Sequence, residues 1–262
     1  MKKFALLGHH IAYSLSPFIH NMVYAHMGVS AAYGLVSLEP DNFDSAVQSL
    51  FCLDGFNVTK PYKNRIVDFL DSVANPRFDA VNTVVIKNAR RIGYNTDYDG
   101  VLVALMQLAD FRNKSVLVLG AGGVADSVVA ALCSLKANAF IYNRTAAAAI
   151  SLANKYGVGV ASDKKGQYDA VINCTSYGLN VGENIGEGLD LSNTQLVYDT
   201  IYFDTALLKM AKLKGVPIIA NGLSMLVYQA LTADELFFDT PIVDKEILAQ
   251  KILQQLRKEQ KA

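Results

Sequence analysis

The chain of 262 residues is 52% hydrophobic and 18% charged, so it has enough apolar material for packed cores and too little charge for a disordered chain. Its length suits one large domain or two smaller ones, at about 100–200 residues per domain. The 24 Lys and Arg residues balance the 24 Asp and Glu residues, which gives no reason to expect nucleic acid or an anionic membrane as a partner.

Two features of the sequence concern where the protein resides. The apolar run after Met1 is too short for a signal peptide, and no stretch approaches the ~20 apolar residues that a membrane-spanning helix needs. The three cysteines, Cys52, Cys133 and Cys174, are odd in number, widely spaced and set in apolar segments. This pattern is typical of reduced thiols, so we expect a cytoplasmic protein.

The N-terminal part alternates short β-like runs with helix-like stretches. Helices are expected to begin near Pro17, Asn42 and Pro61, since proline suits the first helical position. Asp97 stands where the N-cap of a further helix would, ahead of an apolar run at 101–105. Strands are expected at residues 4–7, 33–38, 55–58 and 81–86, the last of them in a hairpin with residues 91–94.

From Ser115 onward the pattern is that of a parallel sheet covered by helices. Residues 115–119 form a nearly continuous apolar run, as expected for a strand buried on both faces. The alternation of strand and helix that follows predicts a doubly wound α/β sheet, and an apolar stripe after Asp244 predicts a final amphipathic helix. Further strands are expected to end at Tyr142 and to cover residues 170–174, 196–199 and 217–219.

A glycine-rich turn joins the first of these strands to its helix. Its sequence, Gly120-Ala121-Gly122-Gly123-Val124-Ala125, has the form G-x-G-x-x-A. In dinucleotide-binding folds the first glycine makes the tight turn, the second lets the backbone approach the pyrophosphate, and the small third residue lets helix and strand pack closely. The helix also presents unpaired N–H groups to the phosphates. Because strand, motif and helix occur in this order, we expect a dinucleotide site rather than a plain structural turn.

The end of the next strand indicates which nicotinamide dinucleotide binds. NAD-specific folds usually place Asp or Glu there to accept a hydrogen bond from the ribose 2′-hydroxyl, whereas this strand ends in Asn143-Arg144-Thr145. The guanidinium of Arg144 could pair with the 2′-phosphate of NADP, although a solvated arginine is the plainer interpretation. We expect NADP as the cofactor, with NAD as the alternative.

Polar side chains are concentrated at a few places in the N-terminal part. Ser14 and Ser16 place two hydroxyls on a loop that enters a helix, which is a natural receptor for a carboxylate. Lys63 follows the strand at 55–58, on the first turn of the expected helix, and Asp97 follows the hairpin. Reduction of a carbonyl by hydride needs a proton, which a lysine beside a carboxylate can supply. Taken singly, such residues are more often caps or turn formers, but together with a dinucleotide motif they favour catalysis.

Several short segments of both parts form an ordered series. In the N-terminal part they are Ser14-Leu15-Ser16-Pro17, Asn57-Val58-Thr59-Lys60-Pro61-Tyr62-Lys63, Ala80-Val81-Asn82-Thr83 and Gly93-Tyr94-Asn95-Thr96-Asp97. In the second part they are Gly120-Ala121-Gly122-Gly123, Asn143-Arg144-Thr145, Asn173-Cys174-Thr175-Ser176, Asn221-Gly222-Leu223-Ser224 and Gln229-Ala230. This series, which covers nearly the whole chain and is far more specific than any one segment, resembles that of the shikimate dehydrogenase family.

The resemblance implies a two-domain α/β fold. An N-terminal α/β substrate domain, residues 1–98, would be completed by C-terminal helices, residues 223–262. A Rossmann-type doubly wound dinucleotide-binding domain, residues 99–222, would be inserted between them in the sequence.

The resemblance also implies a reversible, NADPH-dependent reduction of 3-dehydroshikimate to shikimate, on the route to chorismate and the aromatic amino acids, by a monomer or homodimer. Lys63 and Asp97 would form the catalytic pair, and Ser14 and Ser16 would hold the substrate carboxylate. The other substrate contacts would come from Thr59, Asn82, Tyr202 and Gln229. The cofactor contacts would come from Gly120, Ala121, Gly122, Gly123, Val124, Asn143, Arg144, Thr145, Thr175, Thr200 and Gly222.

Two residues depart from the family pattern where the cofactor is expected. Asp126 occupies an often basic position at a helix start, where we expect it to face the pyrophosphate and repel it. Ala148 stands where a second arginine usually completes the clamp on the 2′-phosphate. Loss of one charge-assisted hydrogen bond costs about 1.5–3 kcal/mol, which weakens binding roughly ten- to a hundredfold. We therefore predict weaker NADP binding or relaxed discrimination between NADP and NAD.

The adjacent His9 and His10 raise the question of a metal. Neighbouring residues on an extended segment point apart, and no cysteine or acidic cluster flanks them. We therefore expect no metal site.

Two alternatives to shikimate reduction remain open. The first is a quinate or quinate/shikimate dehydrogenase with relaxed use of NAD and NADP. The second, of another class, is a catalytically weak cofactor-binding regulatory protein, against which the retention of both Lys63 and Asp97 speaks.

Overall fold

The computed structural model describes residues 1–180 and 182–259. The chain divides into two compact units, one formed by Met1–Gly100 with Val227–Ala262 and the other by Val101–Leu226. Within the described ranges, no helix combines the length and apolar character that crossing a bilayer requires.

The first unit is built on a mixed six-stranded sheet. Its strands in chain order are β1 (Lys2–Gly8), β2 (Ala31–Ser37), β3 (Gly55–Val58), β4 (Ser72–Val73), β5 (Thr83–Lys87) and β6 (Arg90–Tyr94). They lie in the order β2-β1-β3-β5-β6-β4, in which β1 pairs parallel with β2 and β3, and β5 pairs antiparallel with β3 and β6. The expected hairpin is present as β5 and β6. Because β1 and β3 are parallel, their carboxyl ends lie at one edge of the sheet.

The helices of this part of the chain begin close to the expected positions, with one exception. They are α1 (Ser16–Met27), α2 (Phe43–Leu50) and α3 (Thr96–Leu108). Pro17 lies in the first turn of α1, where its missing N–H breaks no helical hydrogen bond.

The exception is at Pro61, where the prediction of an α-helix is wrong. Arg65–Phe69 forms a 3₁₀ helix instead, and Lys63 lies in the turn before it. The carbonyl oxygen of Lys63 accepts a hydrogen bond from the Val81 N–H at 2.8 Å, whereas the Val67 N–H bonds to the carbonyl three residues back at 3.3 Å. An α-helix would have required Lys63 to accept from Val67, so the bond to Val81 favours the tighter turn.

The expectation that Asp97 caps a helix is also wrong. Because α3 begins at Thr96, Asp97 lies in its first turn. The capping acceptor is Asn95, whose Oδ1 accepts a hydrogen bond from the Tyr98 N–H at 3.2 Å. The Asp97 carboxylate is therefore not used for capping.

The second unit is the doubly wound parallel sheet that the sequence predicted. Its strands are β7 (Ser115–Leu119), β8 (Asn138–Tyr142), β9 (Gly159–Val160), β10 (Ala170–Asn173), β11 (Leu196–Asp199) and β12 (Ile218–Asn221), and its helices are α4 (Gly123–Ser134), α5 (Ala146–Tyr156) and α6 (Ala206–Leu213). The strands lie in the order β12-β11-β10-β7-β8-β9, and each pair is parallel. The winding reverses between β7 and β10. In such sheets ligands bind outside the carboxyl ends of the strands at this point.

Two helices follow β12, namely α7 (Leu223–Phe238) and α8 (Lys245–Glu259). From Val227 onward they belong to the first unit. The ring of Phe237 stacks on Phe4 of β1 with 4.5 Å between centroids. A Cβ atom on Gly55 of β3 would lie 2.7 Å from the Phe237 ring, so the small residue permits this contact. Burial of these rings holds the C-terminal segment on the sheet.

Candidate active site

The lysine and the carboxylate that were expected to act together are in contact. Nζ of Lys63 lies 2.5 Å from Oδ2 of Asp97, and the two side chains are only 16% and 9% exposed. Lys63 comes from the turn after β3 and Asp97 from the first turn of α3. An ammonium has three N–H donors, so Lys63 can hold this contact and still donate to an oxygen of a bound molecule.

The amide of Asn82 orients the carboxylate from its other side. Nδ2 of Asn82 donates to Oδ1 of Asp97 at 2.9 Å and to Oγ1 of Thr96 at 2.9 Å. Its Oδ1 accepts from the Thr96 N–H at 2.7 Å, which determines which end of the amide is the oxygen and which is the nitrogen. Oε1 of Gln229 lies 3.3 Å from Nδ2 of Asn82. Among the expected substrate residues, Asn82 thus contacts the Lys63–Asp97 pair directly, and Gln229 contacts Asn82.

Behind Asn82, a chain of buried polar groups continues into the sheet. Oγ1 of Thr83 lies 3.1 Å from Oγ1 of Thr96 and accepts from Nδ2 of Asn57 at 2.9 Å. Oδ1 of Asn57 in turn accepts from the hydroxyl of Tyr33 at 2.7 Å. Such a network specifies the orientation of each amide, because each donor faces an acceptor. Asn57 begins one of the segments of the ordered series but was given no role of its own, and Tyr33, which lies in an ordinary strand pattern, was not expected to support the site.

This polar chain ends against a buried histidine–carboxylate pair that the sequence did not predict. His20 of α1 and Asp234 of α7 are both fully buried, with 2.8 Å between Nδ1 and Oδ1. The His20 ring stacks on Tyr33 at a centroid distance of 3.9 Å. Burial raises the pKa of Asp234, although the nearby His20 opposes this shift. The two residues are 214 positions apart, so no local pattern could have paired them.

The expected carboxylate receptor lies at the start of α1. Oγ of Ser14 donates to Oγ of Ser16 at 3.2 Å and accepts from the Ser16 N–H at 3.2 Å. Thr59 follows β3, and its N–H donates to the carbonyl of Leu7 at 2.8 Å. A Cβ atom on Gly8 would lie 2.5 Å from Cγ2 of Thr59. Thr59 therefore packs against the end of β1, where the loop that carries the two serines begins.

Tyr202, the remaining residue expected to contact the substrate, belongs to the second unit. It lies in the turn after β11, and 43% of its surface is exposed.

The glycine-rich turn of the second unit has the geometry that its motif predicts. Gly120 adopts φ +108°, and a Cβ atom there would lie 2.9 Å from Cγ2 of Thr175, so a side chain would be strained and crowded. Gly122 is the N-cap of α4, with Gly123 and Val124 in the first turn and Ala121 before it. A Cβ atom on Gly122 would meet no atom within 4 Å. This open space at a helix N-terminus fits a pyrophosphate.

The expectation that Asp126 faces the pyrophosphate is wrong. Its side chain is only 8% exposed, and its two oxygens contact Nζ of Lys155 at 3.0 Å and the hydroxyl of Tyr156 at 2.7 Å. Both partners belong to α5. The carboxylate is therefore turned to the neighbouring helix, where its charge is paired.

A cavity of about 790 Å³ lies at the carboxyl ends of β7, β8 and β10. This volume is typical of pockets that bind small molecules, about 300–1,000 Å³. Nδ2 of Asn143 donates to the carbonyl of Thr145 at 3.0 Å, which shapes the turn that exposes Arg144. Lys164 also lines the cavity and was not expected from the sequence. The expected cofactor residues on its wall are Gly120, Asn143, Arg144, Thr145 and Thr175.

Thr200 and Gly222 meet at the carboxyl ends of β11 and β12. A Cβ atom on Gly222 would lie 2.1 Å from the Thr200 carbonyl oxygen, so the close approach needs glycine. Next to them, buried Asp199 accepts hydrogen bonds from Nδ2 of Asn173 at 2.9 Å and from Oγ1 of Thr205 at 2.7 Å. Burial raises the pKa of Asp199, and the bond from Thr205 opposes the shift. These bonds hold the ends of neighbouring strands together.

His9 and His10 do not point apart as the sequence suggested. Their ring centroids lie 3.6 Å apart, because His10 adopts a left-handed backbone (φ +54°) rather than an extended one. Among the residues that the structure describes, no group of three or more His, Cys, Asp or Glu side chains is arranged to hold a metal ion.

Two family models match successive parts of the chain. Residues 6–84 match the shikimate dehydrogenase substrate binding domain, and residues 102–179 match shikimate / quinate 5-dehydrogenase. The chain is 36% identical to a shikimate dehydrogenase (NADP(+)) of Shouchella clausii, over 89% of this chain and 92% of that protein.

Two solved structures are similar throughout. The shikimate dehydrogenase of Aquifex aeolicus superposes with a TM-score of 0.89 at 32% identity, covering 97% of each chain. The shikimate 5-dehydrogenase of Thermus thermophilus, in complex with NADP(H) and shikimate, has a TM-score of 0.87 at 29% identity, covering 97% of this chain and 99% of that one. With the ordered motifs, the Lys63–Asp97 contact and these similarities over nearly its full length, the chain belongs to the shikimate dehydrogenase family.

Proposed function

We propose that this protein is an NADP-dependent shikimate dehydrogenase that reversibly reduces 3-dehydroshikimate to shikimate. The observation that carries the proposal is the contact between Lys63 and Asp97, oriented by Asn82, in a chain of this family. A relative of known structure binds NADP(H) and shikimate, which supports the same ligands here.

The reaction adds a hydride to the carbonyl carbon and a proton to its oxygen. NADPH, when bound, supplies the hydride. The ammonium of Lys63 stabilises the negative charge that develops on the oxygen, and the Lys63–Asp97 pair delivers the proton. Asp97 holds the ammonium in place, and Asn82 holds Asp97. In the reverse direction the pair takes the proton back from the hydroxyl.

Recognition of the substrate is assigned to polar groups around this pair. The hydroxyls of Ser14 and Ser16, at the N-terminus of α1, suit the substrate carboxylate. Thr59, Asn82, Gln229 and Tyr202 are proposed to contact the ring hydroxyls or the carboxylate.

Binding of NADP is assigned to the second unit. The open turn at Gly120, Ala121, Gly122, Gly123 and Val124 would receive the pyrophosphate. Asn143, Arg144, Thr145 and Thr175 would bind the adenosine part in the cavity, with Arg144 on the 2′-phosphate. Thr200 and Gly222 would lie near the nicotinamide.

We further propose that residues 1–98 with 223–262 form the substrate domain and that residues 99–222 form the NADP domain. The protein would act in the cytoplasm as a monomer or homodimer, without a nucleic acid or membrane partner.

Initial rates test this function. We expect fast oxidation of NADPH with 3-dehydroshikimate, and reduction of NADP with shikimate. Rates with shikimate and quinate, each against NADP and NAD, separate the main proposal from a quinate/shikimate dehydrogenase. Binding of NADPH without turnover of any of these substrates would instead indicate a regulatory protein.

A further inference from the structure

The cavity of the second unit has two cationic side chains on its wall, Arg144 and Lys164. Arg144 follows β8 and Lys164 follows β9, its parallel neighbour at the edge of the sheet. Because the carboxyl ends of parallel strands lie at the same edge, loops after β8 and β9 can serve one ligand. The sequence pattern alone had identified only the first of these cations.

The ammonium of Lys164 has a defined position on this wall. Nζ donates to the carbonyl oxygens of Ile185 (3.0 Å) and Glu187 (2.5 Å), and both of these residues line the same cavity. Neutral carbonyls orient the ammonium without cancelling its charge. Two of the three N–H donors are used in this way, which leaves the third for a ligand.

One carboxylate on the wall, that of Glu183, is already engaged by its own loop. Glu183 accepts hydrogen bonds from the Gly178 N–H (2.8 Å), the Asn180 N–H (3.2 Å) and Nδ2 of Asn180 (2.9 Å). These bonds, with that from the Asn180 side chain the largest cause, lower the pKa of Glu183. It therefore keeps its charge, but the charge is directed into the loop.

A phosphate monoester carries close to two negative charges at neutral pH, and one guanidinium cannot balance them. The first turn of α5 begins with a run of alanines from Ala146 and offers no second cation. We propose that Lys164 is the second cation of the 2′-phosphate site, opposite Arg144, and so determines the preference for NADP over NAD. This inference rests on the proposed NADP-dependent function, and it changes the expectation from Ala148: the missing arginine is replaced from the loop after β9.

Equilibrium binding, without a measurement of turnover, separates contact of Lys164 with the 2′-phosphate from a purely structural role of Lys164 in its loop. The probes are 2′,5′-ADP and 5′-AMP, of which only the first carries a 2′-phosphate, together with NADPH and NADH, which differ in the same way. For Lys164→Gln we expect 2′,5′-ADP and NADPH to bind about ten- to a hundredfold more weakly, as for one lost charge-assisted contact. Binding of 5′-AMP and NADH should change less than about twofold.

The chain offers a matched control in the next residue. Lys165 is exposed and does not line the cavity, so Lys165→Gln should bind all four ligands as the original protein does. Lys164→Arg retains the charge and should retain most of the preference. Adding Ala148→Arg to Lys164→Gln should restore binding of 2′,5′-ADP.

The inference is overturned if Lys164→Gln leaves 2′,5′-ADP binding unchanged. It is equally overturned if binding of 2′,5′-ADP and 5′-AMP falls by the same factor, because Lys164 would then act only by holding the loop at 185–187. Failure of the proposed function looks different, since the unaltered protein would then either bind neither NADPH nor 2′,5′-ADP or bind NADPH without turning over 3-dehydroshikimate or shikimate.

Discussion

Asn82 donates a 2.9 Å hydrogen bond to one oxygen of Asp97, whose other oxygen lies 2.5 Å from Nζ of Lys63. The carboxylate is thereby held between an amide and an ammonium, and its orientation does not depend on a bound ligand. The turn that carries Lys63 is fixed separately, by the hydrogen bond from the Val81 N–H to the Lys63 carbonyl oxygen. Backbone and side-chain contacts thus place both members of the pair before substrate binds.

Replacing Lys63 by Ala should lower kcat by two or more orders of magnitude, because the proton and the charge that stabilises the oxyanion are lost. Binding of shikimate should change much less. The Asp97→Asn variant should show the same loss of kcat as Lys63→Ala. Steady-state kinetics with equilibrium binding of shikimate measure both effects.

A suitable control is Lys87→Ala, which removes an exposed lysine that pairs with Asp239 away from these residues in the same unit. It should keep the original rate. A near-normal kcat in either the Lys63 or the Asp97 variant would refute the roles assigned to them.

Replacing Tyr33 by Phe should destabilise the protein by about 1–3 kcal/mol, because Oδ1 of buried Asn57 loses the hydrogen bond from the Tyr33 hydroxyl. The ring itself is retained, so little packing is lost. Urea unfolding measures the change. Tyr13→Phe removes a hydroxyl from a side chain that is 98% exposed and should have no effect. Equal stability of the two variants would show that the buried polar chain contributes nothing net.

Replacing Asp126 by Asn should destabilise the second unit by about 1–3 kcal/mol, since the partly buried Lys155 loses the ion pair with the Asp126 carboxylate. Affinity for NADPH should stay within about twofold, because the carboxylate is turned towards α5 and not towards the glycine-rich turn. Urea unfolding measures the change in stability, and titration with NADPH measures the affinity. An affinity gain of tenfold or more would mean that Asp126 does repel the phosphates.

The pair of Asp71 and Arg91 should contribute stability that depends on pH. Hydrogen bonds from the Arg91 guanidinium, and then from its N–H, lower the pKa of Asp71 to about 2, from 3.8 in an unfolded chain. The folded state therefore binds fewer protons in this range, and its stabilisation is present above about pH 4 and is lost as the pH falls towards 2. Denaturant unfolding across this range should show a weaker pH dependence for Asp71→Asn.

Arg91→Gln provides the matched comparison for this pair, because it removes the guanidinium but keeps the 2.7 Å bond from the Arg91 N–H. The Arg91→Gln variant should lose the larger part of the pH dependence that this pair gives to the stability. An unaltered pH dependence in both variants would contradict the assignment.

The sequence by itself determined the features that depend on neighbours along the chain. The apolar run at Ser115–Leu119 and the glycines after it predicted a buried parallel strand and a tight turn, and both are present. These features are local, because a strand pattern and a turn are set by consecutive residues. The ordered motifs likewise placed Lys63 and Asp97 in one site, although the local helix expected at Pro61 was wrong.

Only the tertiary structure decided where side chains on the helices and loops are directed. Asp126 was expected to face the phosphates from its place at a helix start, but α5 offers it Lys155 and Tyr156. His20 and Asp234 are paired across 214 residues, and Lys164 reaches the cavity because β9 lies beside β8. Each of these contacts depends on which elements pack together, and a pattern read along one chain does not contain that information.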